Sequence, residues 1–503
     1  MRQVHDNKNR VTAESIRKYR FLMALSRIHF TGVLLTCVFI AGGCTTYQYE
    51  ALPLNVEQST LDYNRRSLDD PSLHEFMSEY GYPQRQWPLS SWDLQALTLA
   101  GYYFNPDLQV AIARHEKSLV NEEVTTLYPN PGIQIPLEHH SDTPDGISPW
   151  LIGIVFDLIF ERSEKREARY DKARAESDIT RIEILQGAWQ IYKSVRQAWL
   201  DHFAAISTKE FLERKLETLN SINSILSRSF ELGQASEFEI NAMRLELQRA
   251  KLELVNQDVQ VTESLHRLAS EIGIPVSALD GKDLGFSGID QYLDSEQLND
   301  SRLQKVALTH RLDMQHALSE YAAFESALKL EIQNQYPDIT LSPGFIFDQG
   351  DNIWTLGASW VIPLLHPQNQ GPIKLALADR EIKQAEIISL QTSIINQIKQ
   401  AQSRIESTST ALQDAELLMQ EATDRNSQVQ RQYELGYIDN LAVLRSKLEL
   451  HSIERALVDF QINVINAAFN YEDVVQYPLL DIPGYKLSND TDINARITPD
   501  ENN

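Results

Sequence analysis

Two short stretches, Phe230-Glu-Leu-Gly233 and Tyr433-Glu-Leu-Gly436, decide the fold of this chain. Each is followed by a helical run with the same apolar spacing. After the first glycine come Leu245-Glu-Leu247, Ala250 and Leu254; after the second come Leu448-Glu-Leu450, Ile453 and Leu457. The upstream landmarks repeat too, Tyr128-Pro129 ahead of one β-like stretch and Tyr336-Pro337 ahead of another. An internal repeat on this scale means one structural unit built twice.

Around these glycines lie four segments almost free of helix breakers. Arg162 to Leu232 holds no proline and a single glycine, Gly187. Gln234 to Ile272, Ile373 to Leu435 and Tyr437 to Tyr477 hold neither. At 1.5 Å per residue the two longer runs predict helices of roughly 95–105 Å, far beyond ordinary globular helices. Apolar residues recur at steps of three and four, as in Ile182, Leu185, Trp189 and Ile191, Val195, Trp199. That pattern predicts coiled-coil-like hairpins turning at Gly233 and Gly436.

Each repeat also holds a pair of β-like stretches. Gly132 to His140 sets Ile133, Ile135 and Leu137 on one face, and Trp150 to Phe160 alternates Ile152, Ile154, Phe156 and Leu158. In the second repeat Asp338 to Phe347 is followed by a loop, Asp348 to Asn352, and then by the alternation Trp354, Leu356, Ala358, Trp360 and Ile362. Strands of about ten residues, apolar on one face and small or polar on the other, match transmembrane barrel strands. A pair of half-buried soluble hairpins fits the same alternation. Pro136 and Pro343 fall inside strands, where a ladder bond is lost, so a bulge or strand end is expected at each. Trp150, Trp354 and Trp360 are candidates for an interfacial aromatic belt.

The amino-terminal stretch has a basic segment (Arg17, Lys18, Arg20, Arg27), an apolar run from Phe30 to Ile40, and small residues ahead of Cys44. It predicts a secretory signal over residues 1–43, with lipidation of Cys44; ordinary signal cleavage nearby is the alternative. Starting at Met23 would give a more usual signal. Cys37 is the only other cysteine, so the mature chain is expected to have no disulfide and no cysteine zinc site. Of 46 Lys+Arg and 70 Asp+Glu, the leader takes 7 and 2, leaving a mature balance of 39 against 68, or −29. This argues against a nucleic-acid partner. It suits a lumen that repels anions, or simply a solvated acidic exterior.

The organisation expected is therefore an extended segment over 44–90 and a first repeat over 91–272 (hairpin 132–160, helical tip at Gly233). A linker follows over 273–301, then a second repeat over 302–478 (hairpin 338–362, tip at Gly436) and a polar tail over 479–503.

From about Trp92 to Tyr477 the chain resembles the lipoprotein branch of the TolC-like outer-membrane efflux family. The resemblance rests on the order of several motifs. They are Asn105-Pro106-Asp107-Leu108, Tyr128-Pro129-Asn-Pro131, Tyr336-Pro337, Ile362-Pro363-Leu-Leu365, Gln368-Asn-Gln-Gly371 and the two Glu-Leu-Gly turns. It implies a mainly α chain with four barrel strands and long coiled-coil helices. Three copies would close a twelve-stranded transmembrane barrel continued by a periplasmic helical tunnel. Four strands alone cannot close a barrel, and open edges in lipid leave backbone groups unpaired, so association of copies is required on physical grounds as well. The Pro129-Asn-Pro131, Lys165-Arg166-Glu-Ala-Arg169 and Gln368-to-Gly371 neighbourhoods look most like the CzcC-type branch that serves heavy-metal pumps. No Met or Cys cluster accompanies them. His139-His140 is the one candidate ligand pair, and a solvated pair beside a loop is the plainer account.

The resemblance also implies that the tips at Gly233 and Gly436 dock a periplasmic adaptor, beside their role as helix-ending glycines. It implies a periplasmic gate of side-chain contacts, matched here by Glu239, six residues past the first tip glycine, and Tyr433, three before the second. The basic partner and inner acids of that gate are not matched; Ile438, Ala442 and Arg445 stand there, and Asp439 and Arg445 are the substitute candidates. With no phosphate loop, catalytic triad spacing or metal motif visible, no enzymatic activity and no cofactor are expected. The expected function is a passive outer-membrane exit duct of a tripartite efflux system in a Gram-negative bacterium. The partners implied are an adaptor, an inner-membrane pump of the RND type and outer-membrane lipid. The alternatives are a duct for type I protein or peptide secretion and a structural periplasmic coiled-coil lipoprotein.

Overall fold

The computed structural model describes residues 48–83, 87–144, 146–286, 288–293, 307–361 and 370–477. Cys37, Cys44, the alternative start Met23, residues 362–369 and the expected tail lie outside them, as does most of the expected linker beyond residue 293. The chain divides at Leu61/Asp62, and all packing below is within residues 62–477.

Helices α1 (Val56–Asn64) and α2 (Pro71–Glu79) occupy the stretch expected to be extended. The reason for α2 is local. Asp70 caps it by accepting the Ser72 N–H at 2.9 Å, Pro71 fills the first helical position where no N–H is needed, and Leu73 and Met77 are buried one turn apart. A two-residue strand β1 (Ser91–Trp92) leads to α3 (Leu94–Phe104), capped by Asp93, and α4 (Pro106–Thr125), capped by Asn105.

The first β region follows as β2 (Gly132–Gln134), β3 (Leu137–His139) and β4 (Trp150–Phe160). Then come the 69-residue α5 (Ser163–Glu231), about 100 Å long, and its 36-residue return α6 (Glu237–Ile272). A short β5 (Asp283–Leu284) pairs in parallel with β1. The second half repeats the order with α7 (Leu312–Gln333), β6 (Ile339–Asp348), β7 (Asp351–Trp360), the 65-residue α8 (Gln370–Glu434) and the 36-residue α9 (Asn440–Val475).

The sheet runs β2/β3–β4–β6–β7, all antiparallel, so β4 and β6 join the two halves at its centre. Neither proline produces a bulge. The first strand breaks into β2 and β3 around Pro136, yet Gly132 still pairs with Asp157 and His139 with Trp150 in one register. Pro136 keeps its acceptor, taking the Gly153 N–H at 3.0 Å. Pro343 stays within β6, paired with Leu356, while the β4–β6 ladder opens between Val155↔Gly344 and Leu158↔Leu341 and resumes in the same register. The missing N–H costs one rung, and the chain does not add a residue to compensate. The expected five-residue loop between β6 and β7 is a two-residue turn. Gln349 and Gly350 both take positive φ (48° and 96°), the pattern whose twist matches antiparallel strands.

A single large core gathers Trp92, Leu97, Leu99, Trp199, Ile272, Ile398, Phe469 and Tyr471 from both halves. At its edge lies a buried ion cluster. Arg196 of α5 donates to the carboxylate of Glu472 on α9, and also to Asp473 at 2.8 Å and the Phe469 carbonyl at 3.2 Å. Tyr192 donates to the other Glu472 oxygen at 2.8 Å. Burial opposes the charge on Arg196, but Glu472, Tyr192 and Asp473 hold its pKa above the ordinary arginine value; burial and then Glu472 push the Tyr192 phenol well up. Removing one partner strands a charge in the core. Arg196→Met is therefore expected to cost about 3–5 kcal/mol, with most of the loss recovered in the double variant Arg196→Met/Glu472→Met. Denaturant unfolding of the four members of that cycle checks it.

Candidate functional site: helical tips and amphipathic sheet

Both helical tips end in the same hydrogen-bonded turn. At the first, Gly233 donates to Phe230 O at 2.9 Å and Gln234 to Ser229 O at 2.7 Å; at the second, Gly436 donates to Tyr433 O and Tyr437 to Gln432 O, both at 2.9 Å. This is a Schellman ending, which needs φ > 0 at the glycine, and the two values are +74° and +78°. A Cβ on either glycine would meet nothing within 4 Å, so the requirement is conformational and not steric.

Three residues on, each return helix is capped differently. Ser236 and Glu239 form a reciprocal capping box on α6, the Ser236 N–H reaching the Glu239 carboxylate at 2.9 Å. Asp439 caps α9 alone, accepting the Ala442 N–H at 2.9 Å. The acid present after the first tip and absent after the second is thus accounted for by capping chemistry. Glu239 has its pKa lowered by the Ser236 backbone N–H, then by the Ser236 hydroxyl and by the positive field of Arg445. Two of the gate candidates, Glu239 on α6 and Arg445 on α9, come from different hairpins of one chain. Tyr433 is 40% exposed, and Leu232, Phe238, Leu435 and Tyr437 leave apolar surface open around both tips.

The two hairpins touch near the tips, where Leu441, Leu444 and Leu448 of α9 pack on the cluster of Leu219, Ile222, Leu226, Ile240, Met243 and Leu247. An open groove of about 760 Å³ lined by Glu217, Asn220, Ser224, Leu254, Asn440 and Leu444 runs beside them.

The sheet at the other end is two-faced. Residues paired across strands share a face, which places Ile133, Trp150, Ile152, Ile154, Phe156, Leu341, Phe345, Trp354, Leu356 and Trp360 together. These side chains are exposed or half-exposed, Trp354 reaching 82%. Gln134, Glu138, Asp157, Ser342, Thr355 and the glycines Gly153, Gly344 and Gly357 share the opposite face with Leu151, Val155, Ile159, Ile346 and Ile353, so that face is mixed and carries the polar groups. That face is crowded. A Cβ on Gly344 would lie 2.7 Å from Thr355 Oγ1 and 2.8 Å from Val155 Cγ2, and one on Gly153 would lie 2.9 Å from Ile346 Cγ1. Asp157 accepts hydrogen bonds from Gln134 Nε2 at 2.6 Å and Ser342 Oγ at 2.7 Å.

Where the sheet meets the helices, Lys165 pairs with Asp338 at 2.9 Å and Arg169 grips the nearly buried Glu161 with two bonds of 2.7 and 2.8 Å. Arg162 and Arg166 stack over Tyr336 and Tyr128 at 4.2 and 4.0 Å. His139 packs edge-on against Trp150, whereas His140 faces Asp348 at 3.5 Å; as neighbours on a strand they point apart. Among the described residues no group of three His, Cys, Asp or Glu is placed to hold a metal, and no helix is long and apolar enough to cross a membrane. The sequence reading missed the Arg196–Glu472 cluster. Its one local signal is a charged residue on the buried face of each helix, between Val195 and Trp199 and between Phe469 and Val475.

The fold is that of the TolC-like outer-membrane channels: long coiled-coil helices, few strands and a duplicated order. The outer membrane protein VceC of Vibrio cholerae superposes with a TM-score of 0.61 at 17% identity, covering 76% of this chain and 95% of that one. The CmeC channel of Campylobacter jejuni does so with a TM-score of 0.61 at 13% identity, covering 90% and 93%. In sequence the chain is a distant relative of efflux-pump outer-membrane proteins. It is 23% identical over 292 residues to the probable efflux pump outer membrane protein TtgC of Pseudomonas putida, and spans 58% of that relative's length and 55% of its own. No family model matches the chain.

Gly233→Ala and Gly436→Ala are each expected to destabilise by about 1 kcal/mol, the cost of a left-handed residue with a Cβ, without steric clash. Thermal unfolding checks the magnitude. The Glu239 carboxylate is depressed in the folded state. The charged box is therefore intact at neutral pH and above the ordinary carboxylate range, and it weakens as pH falls through the depressed value. Amide exchange at the start of α6, followed from neutral to acid pH, should show protection falling in that window.

Proposed function

We propose that the chain is the outer-membrane exit duct of a tripartite efflux system in a Gram-negative bacterium, conducting passively, with energy supplied by an inner-membrane pump. The observation that carries this reading is the sheet. Among the described residues it has one exposed apolar face, one crowded mixed face that carries its strand carboxylates, and two unpaired edges, at β2/β3 and β7. An open edge and a bare apolar face are each a liability in water, and closure into a barrel within lipid removes both. The fold shared with VceC and CmeC and the distant relationship to TtgC point the same way.

The assembly proposed is a homotrimer. Beyond the sheet edges, α6 carries Phe238, Leu245, Leu252 and Val259 at heptad spacing, all at least half exposed within one chain. Such a stripe is the seam of a coiled coil whose partner is another copy. The tips at Gly233 and Gly436, ringed by exposed Leu232, Phe238, Leu435 and Tyr437, are proposed to dock a periplasmic adaptor leading to an RND-type pump. Cys44 is proposed as the lipid anchor. Glu239, Tyr433, Asp439 and Arg445 are proposed to close the periplasmic end, with Arg445 as the substitute for the basic partner missing from its usual place. Heavy-metal cations are the finer substrate proposal. The Lys165-Arg166-Glu-Ala-Arg169 motif that suggested them has local partners at the junction of sheet and helix, so it carries little weight for the cargo.

Purified full-length protein should migrate as a heat-modifiable trimer and give discrete conductance steps in a planar bilayer; a monomer without conductance would sink the reading. Leu245→Glu/Leu252→Glu should dissociate the trimer while leaving helix content intact. For the gate, Glu239→Gln retains the Ser-x-x-Gln form of the capping box while removing the carboxylate charge. Combined with Tyr433→Phe it should raise conductance, and unchanged conductance would remove these residues from the gate.

A further inference from the structure

The seam between the two helical hairpins is interrupted by a cavity of about 480 Å³ between α5 and α9. By residue count along the helices it lies about 20–30 Å from either tip glycine. Its size is that of a small-molecule pocket. Phe211 of α5, with Leu457 and Val458 of α9, gives it an apolar side. Arg214, His451, Glu454 and Arg455 give it a charged one.

These charged groups are not equally engaged. Arg455 is held by both arms, donating to the Thr208 hydroxyl and pairing with Asp459 at 2.7 Å. Glu454 Oε2 accepts a hydrogen bond from His451 Nδ1 at 3.1 Å. Arg214 differs. Among the described residues the one carboxylate within 4 Å of its guanidinium is Glu454, and the oxygen concerned is the one His451 already uses. At 3.8 Å that contact is also beyond hydrogen-bond reach. The next cation along α5, Lys215, has Glu253 at 2.9 Å, so the shortfall is particular to Arg214. Arg214 therefore offers the cavity a fork of N–H donors, the geometry that grips a carboxylate or sulfonate in two bonds. A ring and two aliphatic side chains line the same space, and these call for hydrocarbon rather than water.

We propose that this cavity is a binding site for an organic anion with an apolar body. The carboxylate or sulfonate takes the Arg214 fork, and the hydrocarbon lies against Phe211, Leu457 and Val458. Such an occupant touches both hairpins and ties the seam where the chain's own contacts are polar and weak. A ligand that binds only the joined arrangement stabilises it by mass action. The site goes beyond the duct reading and is measured without conductance, so the two stand or fall separately.

The test titrates the full-length protein in dodecyl maltoside with naphthoate, using naphthamide as the neutral isostere, and follows thermal unfolding and amide exchange. Naphthoate should raise the unfolding midpoint saturably and increase protection on both α5 near Phe211 and α9 near Leu457. Naphthamide should bind about tenfold more weakly or worse. Arg214→Gln, at a side chain 49% exposed, should fold normally and weaken naphthoate binding by about tenfold or more. Arg114→Gln, at an exposed arginine of α4, should bind as the wild type does. An equal effect of naphthamide overturns the inference, as does an effect that survives Arg214→Gln or is lost in Arg114→Gln. Protection that rises on one hairpin alone overturns it too. So does the absence of any effect, the result expected if side chains of a neighbouring copy fill the cavity.

Discussion

A helix of 69 residues cannot stand alone in water, because most helical stability comes from burying an apolar stripe against a neighbour. The structure answers this constraint by giving α5 a companion at every level. Along its tip half, α6 runs back beside it for 36 residues, and along its sheet half α4 and α7 take over. The same holds for α8, accompanied by α9 and then by α7. The duplicated Schellman turns at Gly233 and Gly436 matter because they bring each companion back at once. A return helix displaced by a few residues would lose its stripe against the long helix along its whole length.

That dependence explains why so much of the fold was legible in the sequence. A helix-ending glycine, a long run free of helix breakers and an apolar repeat are local signals, and they located all four long helices to within a few residues of their ends. Trp150 to Phe160 was legible because alternation over eleven residues has few other readings. Less was legible where one residue served a purpose its surroundings concealed. Glu239 looked like half of a contact between hairpins, yet the structure first shows it completing a capping box with Ser236. The motif stands in the sequence as Ser236-x-x-Glu239. Asp70-Pro71 announced α2 in the same local language. Arg196 and Glu472 belong to another category, since they lie 276 residues apart and no local pattern links them.

The prolines show how register can be decided by more than a missing donor. A bulge at Pro343 would have put the side chains that follow it in β6 out of phase, moving Phe345 and Phe347 to the other face. One lost rung at Pro343 is the smaller cost, because it keeps the strand carboxylates off the apolar face. Gly344 and Gly153 fit the same demand, since side chains on that crowded face would collide with neighbouring strands. Composition, ladder and face polarity thus agree on one arrangement.

The contrast between the interior of each hairpin and the seam joining the two follows from residue choice alone. Within the first hairpin the contacts are Leu219, Ile222 and Leu226 against Ile240, Met243 and Leu247. Between α5 and α9 they are largely polar: Lys193 with Asp473, Gln197 with Asn466, Thr208 with Arg455 and Arg214 with Glu454. Partly exposed polar pairs of this kind contribute little each, and water can replace them when they part. Apolar contacts have no such substitute. The seam is also interrupted by a cavity of about 480 Å³ lined by Phe211, Arg214, His451 and Arg455. Each hairpin is therefore stiff within itself and only weakly held to the other through the middle of the seam. Their attachment is concentrated at its two ends, the leucines beside the tips and the buried Arg196–Glu472 pair at the core. The buried pair is the stronger of the two, because separating it would expose a charge to a medium that cannot solvate it. Separating the hairpins is consequently least costly through the polar middle of the seam and most costly at Arg196.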